Sequence, residues 1–263
     1  MSKSPSLGSR KANPPRRPSV FAAAYQLRGI AKVGPLYYLL SLLTSNNPIY
    51  QRTSGRIVDP AVAQALLPAL CLGFVVPSAL MFVPSDNVAV WQNWIALWQV
   101  APIMTGPLTS LLAAVIRLGE GRKGPDPHEL AVFDNRDLPH LLSAYASVFF
   151  ATAALHVCTL ASIVATPALS LTHLFWDLPV SGVSDADAGV FVFFKYDMAI
   201  YVGCVAVWCL YGVFEMRRLG YVRTREAWTA GLGVLASLAV FGPGAMYAGT
   251  WYWREHVIAR LSK

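Results

Sequence analysis

Five apolar runs of about 20 residues follow one another along the chain, and they constrain its fold more than anything else in it. They fall at 61–83, 94–116, 141–165, 189–214 and 228–250. About 20 helical residues reach across the ~30 Å hydrocarbon core of a bilayer. Backbone exposed to lipid must satisfy its own hydrogen bonds, and no alternating ten-residue strands occur. The runs are therefore expected as helices of an all-α, polytopic membrane bundle. Charged residues make up 13% of the 263, about half the usual share of a soluble domain. Too little chain remains for a separate soluble unit, so residues 20–263 read as one transmembrane helical domain.

A sixth stretch, VFAAAYQLRGIAKVGPLYYLLSLL at 20–43, is weaker. Arg28 and Lys32 share a face at i,i+4, and Gly34-Pro35 interrupts the run. It reads either as an N-terminal interfacial amphipathic helix or as a broken span, for five to six spans in all. Residues 1–19 are basic and rich in Pro and Ser, without the apolar core of a cleaved signal. They are expected to form a disordered tail.

Loop charges alternate. Arg52 and Arg56 follow the first stretch; Arg117, Arg122, Lys123 and Arg136 lie in the 117–140 loop; Arg217, Arg218, Arg223 and Arg225 lie in the 215–227 loop. The 84–93 and 166–188 loops hold Asp86, Asp177, Asp185 and Asp187 and no Lys or Arg. Basic loops stay cytosolic, so this pattern orients five spans. The C-terminal Arg254, Arg260 and Lys263 then fall on the wrong side, and the Gly242-Pro243-Gly244 break leaves open a bend in the last span. A net charge of +7 thus sets topology and meets anionic lipid, and no nucleic-acid partner is expected. Cys71, Cys158, Cys204 and Cys209 all lie inside apolar runs without paired spacing, and they read as small buried hydrophobes.

Ionisable residues at membrane depth mark functional candidates, because they are costly to keep there. Here they are Asp197, His156 and, nearer the cytosolic end, Glu215; Lys195 lies close enough to its helix end to snorkel. Asp197, His156 and Gln99 come out at similar depths on three helices and are expected to face one cavity. Asp197, Tyr201, Cys204, Trp208, Tyr211 and Glu215 fall on one helical stripe. Each candidate has a plainer reading. Asp197 could pair with a neighbouring helix, Glu215 beside Arg217 and Arg218 could be a solvated helix end, and His156 could be a satisfied core histidine. Trp91, Trp94 and Trp98 suit an aromatic belt, with Trp98, beside Gln99, also a candidate substrate contact.

No nucleotide, hydrolase or zinc motif is present. A buried carboxyl held protonated is a general acid. Aromatic faces attract positive charge, by about 2 kcal/mol when desolvated. Together they suit a reaction that protonates a lipid and passes through carbocations in a dry pocket. The candidate catalytic residues are Asp197, Glu215 and His156, and the candidate substrate contacts are Gln99, Trp98, Tyr201, Trp208 and Tyr211.

The segments GPLYYLLSLLTS (34–45), RIVDPAVAQALLPALCLGFVVP (56–77), ALWQVAP (96–102) and FFKYDMAIYVGCVAVW (193–208) resemble fungal integral-membrane terpene cyclases of meroterpenoid pathways. The resemblance implies acid-initiated cyclisation of an (epoxy)prenyl chain on a lipophilic aromatic or polyketide substrate. It implies no metal and no cofactor, and residence in the endoplasmic reticulum membrane. It carries Asp197 over as the acid of the KYD segment. An acidic motif that the best-known cyclases carry in an early helix has no counterpart here. Two other readings share the residues: a small proton- or cation-coupled transporter or accessory subunit, and a sterol-isomerase-like enzyme.

Overall fold

The computed structural model describes residues 18–45, 58–121, 135–175 and 185–260. Arg52, Arg56, Arg122, Lys123 and Asp177 lie outside these residues, as does the expected tail up to residue 17. The architecture is an all-α bundle. Its elements are α1 (Pro18–Arg28), α2 (Ile30–Ser45), α3 (Pro60–Met81), α4 (Val88–Gly119), α5 (Leu138–Ala165), the short α6 (Leu171–Phe175), α7 (Ala186–Arg218) and α8 (Thr224–Arg260). Five of them, α3, α4, α5, α7 and α8, are long and apolar enough to cross a membrane.

Local sequence starts these helices where they start. Asp59 accepts the Ala61 N–H (2.8 Å) in front of Pro60, Asn87 accepts from Ala89 (3.0 Å), and Asp185 accepts from Ala188 (2.8 Å). Each satisfies one orphan donor of a first turn. Within α3 a π-helical turn at Cys71–Val75 lies between Pro68 and Pro77, where the missing proline donors already loosen the regular ladder.

The last helix is two helices. Gly242 has φ +84° and ψ 172°, outside any helical region. Ala227 and Trp253 pack on the cluster of Met216, Val222 and Ile258. Residues so far apart in sequence would be about 40 Å apart on a straight helix. The chain therefore reverses at Gly242, and arms 224–241 and 243–260 lie antiparallel. The second arm is the more buried of the two, with Ala245, Met246, Ala248, Thr250, Ile258 and Ala259 buried. This resolves the conflict in the loop charges: Arg254 and Arg260 return to the end that holds Arg217, Arg218, Arg223 and Arg225.

Only glycine fits this reversal. A Cβ at Gly242 would lie 2.6 Å from both Cγ and Nδ1 of His156, on a backbone that L side chains rarely adopt. Gly242→Ala is therefore expected to lose about 2–5 kcal/mol from strain and overpacking together. Thermal unfolding in detergent measures it. Adding His156→Ala should restore the overpacking part, and no restoration would show that backbone strain alone is at work.

The weak N-terminal stretch is a broken helix, but the break is at Gly29 (φ +82°) and not at Gly34-Pro35. Pro35 sits inside α2, which tolerates the missing donor by packing on a neighbour. α1 begins at Pro18, inside the segment expected as tail, and folds back on α2, with the Phe21 and Tyr37 rings 4.9 Å apart. α1 then packs on α4, and α2 packs on α7. This hairpin thus bridges the α3–α4 pair to the group formed by α5, α7 and α8.

Candidate active site

Between the hairpin and α3–α4 lies a cavity of about 920 Å³, at the upper end of the range of small-molecule sites. α1 and α2 form one wall, Leu66, Leu70 and Phe74 of α3 another, Pro102 to Ser110 of α4 a third, and Tyr201 reaches in from α7. The α4 hydroxyls are turned back on their own helix. Thr105, Thr109 and Ser110 donate to the carbonyls of Ala101 (3.1 Å), Thr105 (2.8 Å) and Gly106 (3.2 Å). The wall they form is apolar in effect. The polar character that remains is mostly phenolic, from Tyr25, Tyr37, Tyr38 and Tyr201.

Asp197 lies beside this cavity, outside its lining. Its Oδ1 accepts the Ala31 N–H at 2.7 Å, so it caps α2 from another helix, an acid at a helix N-terminus. Ile30, next to Ala31, and Tyr201, one turn from Asp197, both line the cavity. Gly29 makes the approach possible: a Cβ there would lie 3.1 Å from Asp197 Oδ1. The neighbouring-helix contact weighed from the sequence is thus present, with a backbone N–H as the partner.

The α7 stripe faces inward as an aromatic line. Tyr201 lies against α2, where a Cβ at Gly34 would meet its Cδ2 at 3.2 Å, and it shares the cavity lining with Tyr38. Tyr38 packs on Trp208 (5.3 Å between centroids), which stacks on Tyr211 (6.0 Å) and approaches Trp251 (6.4 Å). Tyr25, on α1, is pushed up to about 12 by burial and secondarily by Tyr201. It stays a neutral phenol across the physiological range.

The other expected residues lie elsewhere. Neither His156 nor Gln99 lines this cavity. His156 lies against the Gly242 reversal, and Gln99 is exposed on α4. The shared cavity expected for Asp197, His156 and Gln99 is thus not formed, and the three lie in separate places, because register along a helix fixes depth but not rotation. Trp98 donates from Nε1 to Ser78 Oγ at 3.1 Å, bracing α3 against α4. Glu215 is not a solvated helix end. It is buried and bound by Arg218 at 2.6 and 2.8 Å. Lys195 reaches towards the start of its helix. It is buried, donates to the His173 carbonyl of α6, and lies 4.4 Å from the Phe191 ring centroid. Of the cysteines only Cys209 is buried, while Cys71 and Cys158 are exposed, as apolar groups are on a surface made for lipid.

Three groups of importance escaped the sequence reading. Tyr25, Tyr37 and Tyr38 sit in the segment that looked weakest. Arg117 pairs with Asp59 at 3.2 Å, and Asp137 accepts the Val58 N–H at 3.0 Å, which together clamp α3, α4 and α5 at the basic end. Arg254 and Glu255 form a buried pair at 2.7 Å, with Arg254 4.9 Å from the Trp251 ring centroid. Among the described residues no three His, Cys, Asp or Glu converge as metal ligands.

The family model described as the CtvD domain matches residues 8–259. The chain belongs to the CtvD-domain family. The resemblance to fungal membrane terpene cyclases read from the sequence therefore holds at the level of the family. Among relatives of this CtvD-domain chain, the terpene cyclase ascI of Acremonium egyptiacum is 26% identical over 225 residues, covering 81% of this chain and 50% of that protein. The terpene cyclase ctvD of Aspergillus terreus is 32% identical over 99 residues, 32% of this chain and 28% of that protein. The FAD-dependent monooxygenase verC1 of Penicillium polonicum is 27% identical over 244 residues, 92% of this chain but 29% of that protein. The CtvD-domain chain thus spans half or less of these relatives' lengths. No solved structure matches it.

Proposed function

We propose that this CtvD domain is a membrane-embedded terpene cyclase that closes rings on an epoxyprenyl chain borne by a meroterpenoid or polyketide substrate, in the endoplasmic reticulum membrane. Asp197 is the proton donor. One carboxyl oxygen accepts the Ala31 N–H and the other carries the proton. That proton passes to the epoxide oxygen, one C–O bond breaks, and the oxygen stays on the other epoxide carbon as a hydroxyl. The cation formed at carbon is attacked by a neighbouring double bond, and the last cation loses a proton from an adjacent carbon. The net change is isomerisation. The apolar cavity excludes water that would otherwise capture the cation.

The observation that carries the reading is an apolar, tyrosine-walled cavity with one acid, Asp197, beside it. The two relatives named terpene cyclases support it. The relative named FAD-dependent monooxygenase belongs to a class able to oxygenate a double bond, which supports an oxygenated substrate.

The test is conversion of an epoxyprenyl aromatic compound by microsomes that contain the protein. The expected product has the mass of the substrate and one or more new rings. A diol, heavier by one water, would make the protein an epoxide hydrolase. An unchanged substrate in each epoxyprenyl series would remove the reading.

A further inference from the structure

We infer that the α7–α8 turn and the channel behind it bind a lipid phosphomonoester, a phosphatidic acid of the surrounding membrane. The arginines at this end of the bundle fall into two groups. Arg117, Arg218 and Arg254 are each paired with a carboxylate, on Asp59, Glu215 and Glu255. Among the described residues the side chains of Arg217, Arg223 and Arg225 are in no ion pair. Arg217 donates from Nε to the neutral Thr224 hydroxyl at 2.8 Å, which leaves the rest of its fork for a ligand. Two clefts of about 560 and 570 Å³ open around these arginines, and both are lined by Arg223 and Glu226. The Glu226 carboxylate is already engaged, since its Oε2 accepts the Arg223 backbone N–H at 2.7 Å. Three guanidiniums against that one carboxylate leave the clefts two net positive charges. A phosphomonoester carries about −1.5 to −2 at neutral pH, and guanidinium forks match its oxygens in pairs.

The surroundings of the clefts require that this phosphate be carried on a lipid. Trp228, one turn into α8 and 71% exposed, is the residue type that sits at headgroup level. Ala230 and Trp253 line one cleft and also a channel of about 370 Å³, walled by the two arms of α8, Phe149 of α5 and Val213 of α7. From Ala230 to Phe241 the first arm runs ~16 Å along that channel, whose lining holds no charged side chain. Gly233 lies on its wall, where a Cβ would meet nothing within 4 Å, so a chain has room there. A free phosphate would leave the channel empty, and a neutral lipid would leave the arginines without an anion. An anionic head on an apolar chain fills both. This site shares no lining residue with the cavity beside Asp197, and it does not depend on the cyclisation reading.

The probe is dioleoylphosphatidic acid, titrated into the protein in dodecylmaltoside micelles, with the lipid-bound fraction read by native mass spectrometry. Dioleoylphosphatidylserine, dioleoylphosphatidylcholine and inorganic phosphate are titrated beside it. Phosphatidic acid is expected to bind about tenfold tighter than phosphatidylcholine and about threefold tighter than phosphatidylserine. Inorganic phosphate at the same concentration should not displace it. Arg223→Gln and Arg225→Gln are each expected to weaken its binding about threefold to fivefold. Arg28→Gln removes the same charge from the opposite half of the bundle and should leave it unchanged. Gly233→Leu, a better helix former placed in open space, should block the channel and weaken binding about threefold to tenfold. Equal binding of phosphatidic acid and phosphatidylcholine by the wild type would overturn the inference, and this comparison needs no variant to fold. Equal binding of phosphatidylserine, or displacement by inorganic phosphate, would overturn the lipid phosphomonoester as occupant. So would an Arg28→Gln loss as large as that of Arg223→Gln, or full affinity in a folded Gly233→Leu protein.

Discussion

Asp197→Asn is expected to lower the rate of cyclisation 100-fold to 10,000-fold, about 3 to 5 kcal/mol of transition-state stabilisation. The substitution separates the two roles of this residue. Asparagine keeps an oxygen that accepts the Ala31 N–H, now met at 2.7 Å, so the α1–α2 hairpin and the cavity wall stay in place. It cannot deliver a proton. Asp197→Ala removes both, so it should match the Asn variant in activity and also lose about 1 kcal/mol of stability with the cap. An Asn variant at full activity and an Ala variant that is merely less stable would make Asp197 a helix cap alone. Trp208→Leu, which leaves the acid and removes the ring behind Tyr38, should slow turnover less and release products quenched early.

The largest expected loss of stability comes from Arg254→Met. The Arg254 and Glu255 side chains are each only 7% exposed and lie 2.7 Å apart in the second arm of α8. Taking the guanidinium away deprives the buried Glu255 carboxylate of the charge 2.7 Å from it, at a cost of about 3–5 kcal/mol. The double variant Arg254→Met/Glu255→Leu should recover most of that, since apolar replacements of buried pairs are often neutral. Unfolding in detergent, followed by heat and by denaturant, measures both. A single variant as stable as the wild type would mean that the pair does not hold this arm.

The spans were legible in the sequence because lipid demands about 20 apolar residues in a row, and that demand is local. Helix starts were legible for a similar reason, since Asp59, Asn87 and Asp185 cap turns that begin next to them. The reversal at Gly242 was not. Gly-Pro-Gly is compatible with a kink or a turn, and the choice is made by Met246 packing on Val234 and by His156 filling the space where a Cβ would be. Gly29 stands beside no sequence signal as plain as Gly34-Pro35, yet it breaks the helix, because Asp197 caps α2 through the N–H of Ala31, 166 residues away. The stripe on α7 identified Tyr201 and Trp208 by period alone. Their partners Tyr37 and Tyr38 come from a different helix, and no periodicity joins the two. Lys195 and Glu215 show the same limit: the sequence placed them near helix ends, and tertiary contacts buried both.

Ring closure is proposed to take place in the cavity between α1–α2 and α3–α4. Thr109 lines it and is buried, and Thr109→Phe would place a ring where the substrate chain is proposed to lie. The decisive measurement compares conversion of an epoxyprenyl aromatic substrate by the wild type and by Thr109→Phe in nanodiscs, with equal melting temperatures established first. The wild type is expected to give a cyclised isomer and the variant none above background. A folded Thr109→Phe protein that cyclises at the wild-type rate would place the chemistry elsewhere.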